Sequence, residues 1–385
     1  MRAAAVLFER EEPSSAQAVQ VQVPVRSAAA AVLERNKSSS AQSMPIHELL
    51  TTSATALPDR EELRSAQSMH SHEPITRAPA ALRERARLPA ARVSKPPQSL
   101  LTDAELAHYA VTALIDEAEL TPKPALVDRR GSGAHQDLDL AIMRRSAHAL
   151  EPTFAALARA ARRRGEPSAL LRTELAQIGR AGEQDMLRAT GGSNAHRGAI
   201  WIVGLLVAGA SLPQAAGRLD ASHICRRAAQ IACFPDRFAA ATDSHGERAR
   251  RRYQVGGARR EAQEGFPHVI GTGLPALIAA RERGIAEDDA RVDALLSIMA
   301  SLDDTCLLHR AGLAGLHAGQ RGARRVLQAG GSSTREGKTA LAALEHELLS
   351  LNASPGGAAD LLAATLFLDM LAHHDAGGSS ATWNI

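Results

Sequence analysis

Gly191 and Gly192, closely followed by Asn194, His196 and Arg197, make Ala189–Ile200 (A-T-G-G-S-N-A-H-R-G-A-I) the segment of this chain best suited to hold a phosphate. The apolar run Ile200–Leu206 after it reads as a helix, whose first N–H groups and positive dipole end face the turn. Arg197 adds a forked donor, and His196 a group that titrates near neutrality. The bland alternative is a tight interhelical turn carrying a surface His–Arg pair.

Carboxylates supply the second kind of chemistry. In His135-Gln-Asp137-Leu-Asp139 two acids stand where a Gly-containing loop enters a helix, a spacing that suits Mg²⁺ shared with substrate phosphates. Capping and dipole compensation would explain the same pair. Leu302-Asp303-Asp304-Thr-Cys306-Leu-Leu-His309-Arg310 sets two acids, a His and an Arg among leucines. Adjacent acids in an apolar stretch are costly unless paired or bound, so a site is favoured, with an Asp303–Arg310 ion pair as the structural alternative. Asp360, near the start of the last apolar helix, reads as dipole compensation. Lys123, Arg129 and Arg130 surround a loop with phosphate-binding chemistry that matches no standard nucleotide fingerprint. Glu261, between Gly256-Gly-Ala-Arg259 and Gly265-Phe-Pro267, offers a further substrate wall.

The elements that position these residues are helical. Only 3% of the 385 residues are aromatic, and Ala and Leu abound, which favours close-packed helices over a β-sandwich. Thr102-Asp-Ala-Glu105 is a capping box opening one helix, and Pro122 and Pro124 end it. Helical periodicity continues over 138–164, 168–189, 197–210, 213–232, 275–283, 288–302, 305–316, 319–329, 337–350 and 355–373, with no alternating strand. Residues 1–95 are low in complexity, repeat S-A-Q, and are expected to be a disordered extension. Residues 96–385 are expected to form one all-α domain.

Charge narrows the partners. Residues 1–100 hold 13 Lys/Arg against 10 Asp/Glu and the rest 32 of each, so no broad attraction to nucleic acid is expected. Three cysteines without metal-ligand spacing suit a reducing cytoplasm, and no run is long and apolar enough for a membrane span.

Five segments, in order, resemble the triphosphoribosyl-dephospho-CoA synthase family. They are L-T-P-K-P-A-L-V-D-R-R-G-S-G-A-H-Q-D-L-D (Leu120–Asp139), E-Q-D-M-L-R-A-T-G-G-S-N-A-H-R-G-A-I (Glu183–Ile200), G-A-R-R-E-A-Q-E-G-F-P (Gly257–Pro267), L-D-D-T-C-L-L-H-R (Leu302–Arg310) and N-A-S-P-G-G-A-A-D-L-L-A (Asn352–Ala363). The R-R-G-S-G-A-H loop is more similar to the malonate decarboxylase branch than to the citrate lyase branch. Ala125, Ala195, Cys306 and Ala358 depart from the family, which usually has Gly, Thr, Asn and Ser there.

The resemblance implies an all-α enzyme that joins the triphosphoribosyl part of ATP to 3'-dephospho-CoA and releases adenine. Its product would pass to a prosthetic-group transferase acting on an acyl-carrier protein. Such a reaction needs a base for the attacking 2'-hydroxyl, an acid for adenine, and Mg²⁺, cations and helix N-termini for the triphosphate. The expected assignment puts Asp137, Asp139, Asp303 and Asp304 on Mg²⁺ or in the base role. Lys123, Arg129, Gly191, Gly192, Asn194, Arg197 and Arg310 then hold substrate phosphates, and His196 or His309 donates the proton. The rival readings are a metal-dependent ADP-ribosyl or nucleotide hydrolase and a non-catalytic helical interaction module.

Overall fold

Two helices that are apolar on every side organise the chain, since such a helix is stable only when surrounded. They are α5 (Arg197–Ser211), buried almost continuously from Ala199 onward, and α13 (Gly356–Asp375), whose Leu361–Ala364 and Leu366–Leu368 are buried. The computed structural model describes residues 101–213, 220–239 and 244–375. The expected disordered extension, 1–95, lies outside the described residues, as does the boundary at 96.

Around this pair pack α1 (Asp103–Glu119), α3 (Glu151–Arg164), α6 (Ala221–Cys233) and α10 (Glu287–Met299). The remaining helices are α2 (Leu140–Ala149), α4 (Ala169–Ala189), α7 (His245–Tyr253), α8 (Gly257–Gln263), α9 (Leu274–Glu282), α11 (Thr305–Gln328) and α12 (Arg335–Ser350). A π-turn, Val269–Gly273, leads into α9. The fold is all-α: among the described residues the only strand-like pairing is an isolated bridge between Asp128 and Gly131. No described helix is long and apolar enough to cross a membrane.

Side-chain caps start most helices. Thr102 and Glu105 form the predicted capping box of α1, and Ser168, Asp220 and Thr334 cap α4, α6 and α12. The expected helix over 138–164 divides, because Glu151 and Pro152 begin a new helix, where proline's missing N–H costs nothing. The two expected helices over 305–316 and 319–329 form one run, Thr305–Gln328, with its irregularity at Gly312 (φ 63°, ψ −156°).

Candidate active site

The N-termini of α5, α11 and α13 converge, and the acids of the chain's centre collect there. Asp304, 2% exposed, caps α11: its Oδ1 accepts from the Cys306 and Leu307 amides at 2.7 and 3.3 Å. Its Oδ2 accepts from the Ala358 amide at 2.9 Å, and the Gly357 amide also donates to the carboxylate. One carboxylate therefore ties the first turns of two helices, and a side chain at Gly357 would stand 2.9 Å from Oδ1. Burial still pushes the Asp304 pKa up, against the lowering by those four amides.

Asp360 is treated differently by its surroundings. It lies against the first turn of α5, where a Cβ added to Gly198 would come within 1.9 Å of its Oδ2. No hydrogen bond reaches it from the described residues, and solvent reaches it in part. Burial, then the negative charges of Glu117 and Asp304, raise its pKa well above the carboxylate range. Glu117 projects from the buried face of α1 and binds Lys123 Nζ at 2.6 Å. Lys123 is 1% exposed and also donates to the Glu117 carbonyl, so the expected phosphate contact is instead an internal counter-ion.

His196, the residue before α5, is 3% exposed and shares a 2.7 Å hydrogen bond between Nδ1 and Ser146 Oγ. Its Nε2 is buried without a partner among the described residues. Burial, reinforced by Lys123, pushes its pKa down to about 4. His309 is exposed, stacks on His245 with ring centres 3.9 Å apart, and is also pulled down, first by desolvation and then by His245. Both imidazoles are therefore biased toward the neutral form near pH 7, which counts against either as the expected proton donor.

The expected acid set does not assemble. Asp139 caps α2, accepting from the Ile142 amide at 2.7 Å, and Asp137 is exposed, 3.8 Å from His135 Nδ1. Asp303 precedes α11, so the seven-residue spacing to Arg310 does not lie on one helix and the two do not pair. Asp303 faces His268 instead, whose pKa is raised chiefly by a 2.7 Å hydrogen bond to Glu261 and further by Asp303. Arg310 joins two loops, donating to the carbonyls of Asn352 and Ala134. His135 completes that seam through Ser354 Oγ at 2.9 Å.

The Gly-rich turn keeps the expected geometry. Gly191 and Gly192 have φ of 68° and 100°, and a Cβ on either would point into open space. Asn194 Oδ1 accepts from the Arg197 amide, and α5 has no side-chain cap at His196. Arg197 pairs with Glu183 and Arg129 with Glu119, both at the surface.

The family described as ATP:dephospho-CoA triphosphoribosyl transferase matches residues 103–379. The chain belongs to this family. Among its relatives is a protein of Pseudomonas paraeruginosa, named a probable 2-(5''-triphosphoribosyl)-3'-dephosphocoenzyme-A synthase. It is 60% identical over 266 residues, 69% of this chain and 90% of the relative. The synthase of that name from Klebsiella pneumoniae is 56% identical over 267 residues, 69% and 94% of the two chains. No solved structure matches the chain.

The expected Mg²⁺ finds no ready-made cage of side chains among the described residues. Among the described residues no three His, Cys, Asp or Glu side chains gather as metal ligands. Asp304, the most central of the four expected ligands, has both oxygens occupied by amides.

The family departures fall at telling points. Ala125 has φ 57°, a conformation that favours the glycine usual in the transferase family. Cys306 lies beside Asp304, its thiol pushed well up by burial and by the charges of Asp304 and Asp360. Sequence reasoning missed Glu117 and undervalued Asp360. Glu117 stands on the apolar stripe Leu106–Ala110–Ala113–Leu114 of α1, and an acid on such a stripe was the available signal.

Proposed function

We propose that this chain transfers the triphosphoribosyl part of ATP to the 2'-hydroxyl of 3'-dephospho-CoA, and that Asp360 protonates the departing adenine. The observation that carries the reading is Asp360 itself: a partly accessible carboxyl, free of hydrogen bonds from the described residues, favoured in its protonated form beside the first turn of α5, where His196 supplies no side-chain cap. A carboxylic acid kept neutral by burial and like charge is a suitable donor to a poor leaving group.

In the proposed step the C1'–N9 bond of ATP breaks, its electron pair goes to adenine, and Asp360 supplies adenine's proton. The 2'-oxygen of dephospho-CoA bonds to C1', and its proton passes to a carboxylate on the opposite face of the ribose. Asp137 and Asp303, the exposed acids of the set that cap no helix, are the proposed positions for that base. The phosphates are placed at the Gly191–Gly192 turn, Asn194, Arg197 and the first turn of α5. Mg²⁺ is assigned to the triphosphate, consistent with its habit of sharing phosphate oxygens.

The R-R-G-S-G-A-H loop (Arg129–His135) supports service to malonate decarboxylase, with the product handed to a prosthetic-group transferase. Mass spectrometry of a reaction containing ATP, Mg²⁺ and 3'-dephospho-CoA tests the chemistry. Adenine and the triphosphoribosyl adduct in equal amounts are expected. Adenine released equally well without dephospho-CoA would make the chain a hydrolase and overturn the reading. Loss of growth on malonate, but not on citrate, after deletion in the host tests the pathway.

A further inference from the structure

Away from the acid cluster, the outer side of α5 and the adjoining face of α4 enclose a cavity of about 210 Å³. Its floor is apolar (Leu157, Leu175, Leu205), and Arg172, Arg180, Arg197 and Trp201 also line it. Two of the three arginines are matched by acids: Arg180 binds Asp236 at 2.6 Å, and Arg197 binds Glu183. Arg172 is not. Its guanidinium lies 4.8 Å from the centre of the Trp201 ring, and its Nε is fully buried with no hydrogen-bond partner among the described residues. No described carboxylate forms an ion pair with it. The indole N–H of Trp201 is held by the Ala258 carbonyl at 3.0 Å, which fixes the ring under the cation.

A half-buried guanidinium with unused donors is costly, and a cation–π contact offsets that cost only in part. Burial pulls its pKa below the ordinary value; Asp236 opposes this, and Arg259 and Arg180 add to it. The positive charges nearby thus outnumber what one carboxylate answers. The Arg180 and Arg197 guanidiniums are exposed and can turn toward a shared anion, because ion pairs with one partner in solvent are weakly held.

We infer that this cavity is an anion subsite in which Arg172, with Arg180 and Arg197 at the rim, binds the phosphoanhydride of a nucleotide while the ligand's apolar part covers the leucine floor. Forked arginine donors match phosphate oxygens, and the apolar floor strengthens the contact by excluding water. The inference rests on the proposed reaction for the nature of its ligand, since both ATP and 3'-dephospho-CoA carry a phosphoanhydride. It adds Arg172, Arg180 and Trp201 to the residues so far given to substrate.

The test is titration of the full chain with inorganic pyrophosphate, ATP and 3'-dephospho-CoA by calorimetry, for the native protein, R172M and R172K. Methionine keeps the length over Trp201 and removes the charge and the donors. Pyrophosphate should bind the native chain. R172M should weaken pyrophosphate and one of the two nucleotides by about tenfold to a hundredfold, as expected for losing a charged hydrogen bond. R172K should recover part of that loss, and R172M should melt no lower than the native chain, having shed an unpaired charge. Whichever nucleotide is weakened is the one the cavity holds; in kinetics its KM rises while kcat changes little. Unchanged affinities with a lowered Tm in R172M would make Arg172 a packing element and overturn the inference. Because binding is read without turnover, a chain that binds pyrophosphate through Arg172 but forms no adduct would refute the reaction and leave the subsite standing.

Discussion

Replacing Asp304 with Asn should unfasten one of the two helices that its carboxylate ties together. The carboxylate accepts from amides at 2.7 and 3.3 Å on α11 and at 2.9 Å on α13, with Gly357 as a fourth donor. An Asn side chain keeps one oxygen, and its NH₂ must face the amides of one helix, donor against donor. A hydrogen bond to a charged group contributes about 1.5–3 kcal/mol, and an unpaired buried N–H costs about 1–3 kcal/mol. Losing the two amide hydrogen bonds of one helix, at about 1.5–3 kcal/mol each, gives a gross penalty of about 3–6 kcal/mol. Neutralising a buried charge returns part of this, as the raised pKa of Asp304 indicates, leaving a net loss of about 2–4 kcal/mol. At about 2–4 °C per kcal/mol, Tm should fall by roughly 5–15 °C. Calorimetry gives the Tm, and turnover is measured on the same preparation well below the transition. The folded fraction should retain substantial activity. A Tm within about 2 °C of native, together with turnover lost by orders of magnitude, would refute the reasoning and return Asp304 to the chemistry.

Two further substitutions have different signatures. D360N should cut turnover by about 10²–10⁴-fold, the usual weight of a general acid, and leave Tm unchanged or higher. Since Asp360 acts when protonated and its pKa is raised, native kcat should decline as pH climbs through that raised value, and D360N should lack this decline; a pH profile shared by both proteins would remove the residue from the reaction. His196, at about 4 when folded and near 6.5 when unfolded, leaves the unfolded chain binding one more proton between those pH values. Its contribution is complete above about 6.5 and falls by about 3 kcal/mol as pH drops to 4. Urea midpoints of H196Q should lose that slope, and identical slopes in the two proteins would show that His196 is not buried neutral.

The helices and caps were legible because their signals are local: a capping box at Thr102, an Asp or Ser before an apolar period, a proline at a first turn. What failed depended on register or on contacts across the chain. Asp303 and Arg310 would share a face only in a helix that began before Asp303, and α11 begins at Thr305. In sequence Asp139 fits a metal ligand and a dipole partner equally well, and only the fold shows its carboxylate accepting from the Ile142 amide three residues on. The grouping of Glu117, Asp304 and Asp360 joins α1, α11 and α13, elements far apart in sequence, and no local pattern encodes it. The Gly191–Gly192 turn was readable because glycine twice in succession requires a backbone reason.

The central place of α13 has a consequence for how the chain is made. This helix is the last of the described elements to leave the ribosome, yet it fills the middle of the bundle, against α1, α5 and α10. Until it arrives, the faces of those helices that it will cover stay bare, and the Asp304 oxygen that will receive the Ala358 amide lacks that donor. Between the emergence of α10 and that of α13 the nascent protein therefore carries an open apolar trough, whose filling segment is not yet translated. The hazard of that interval is association with other chains through the uncovered apolar faces.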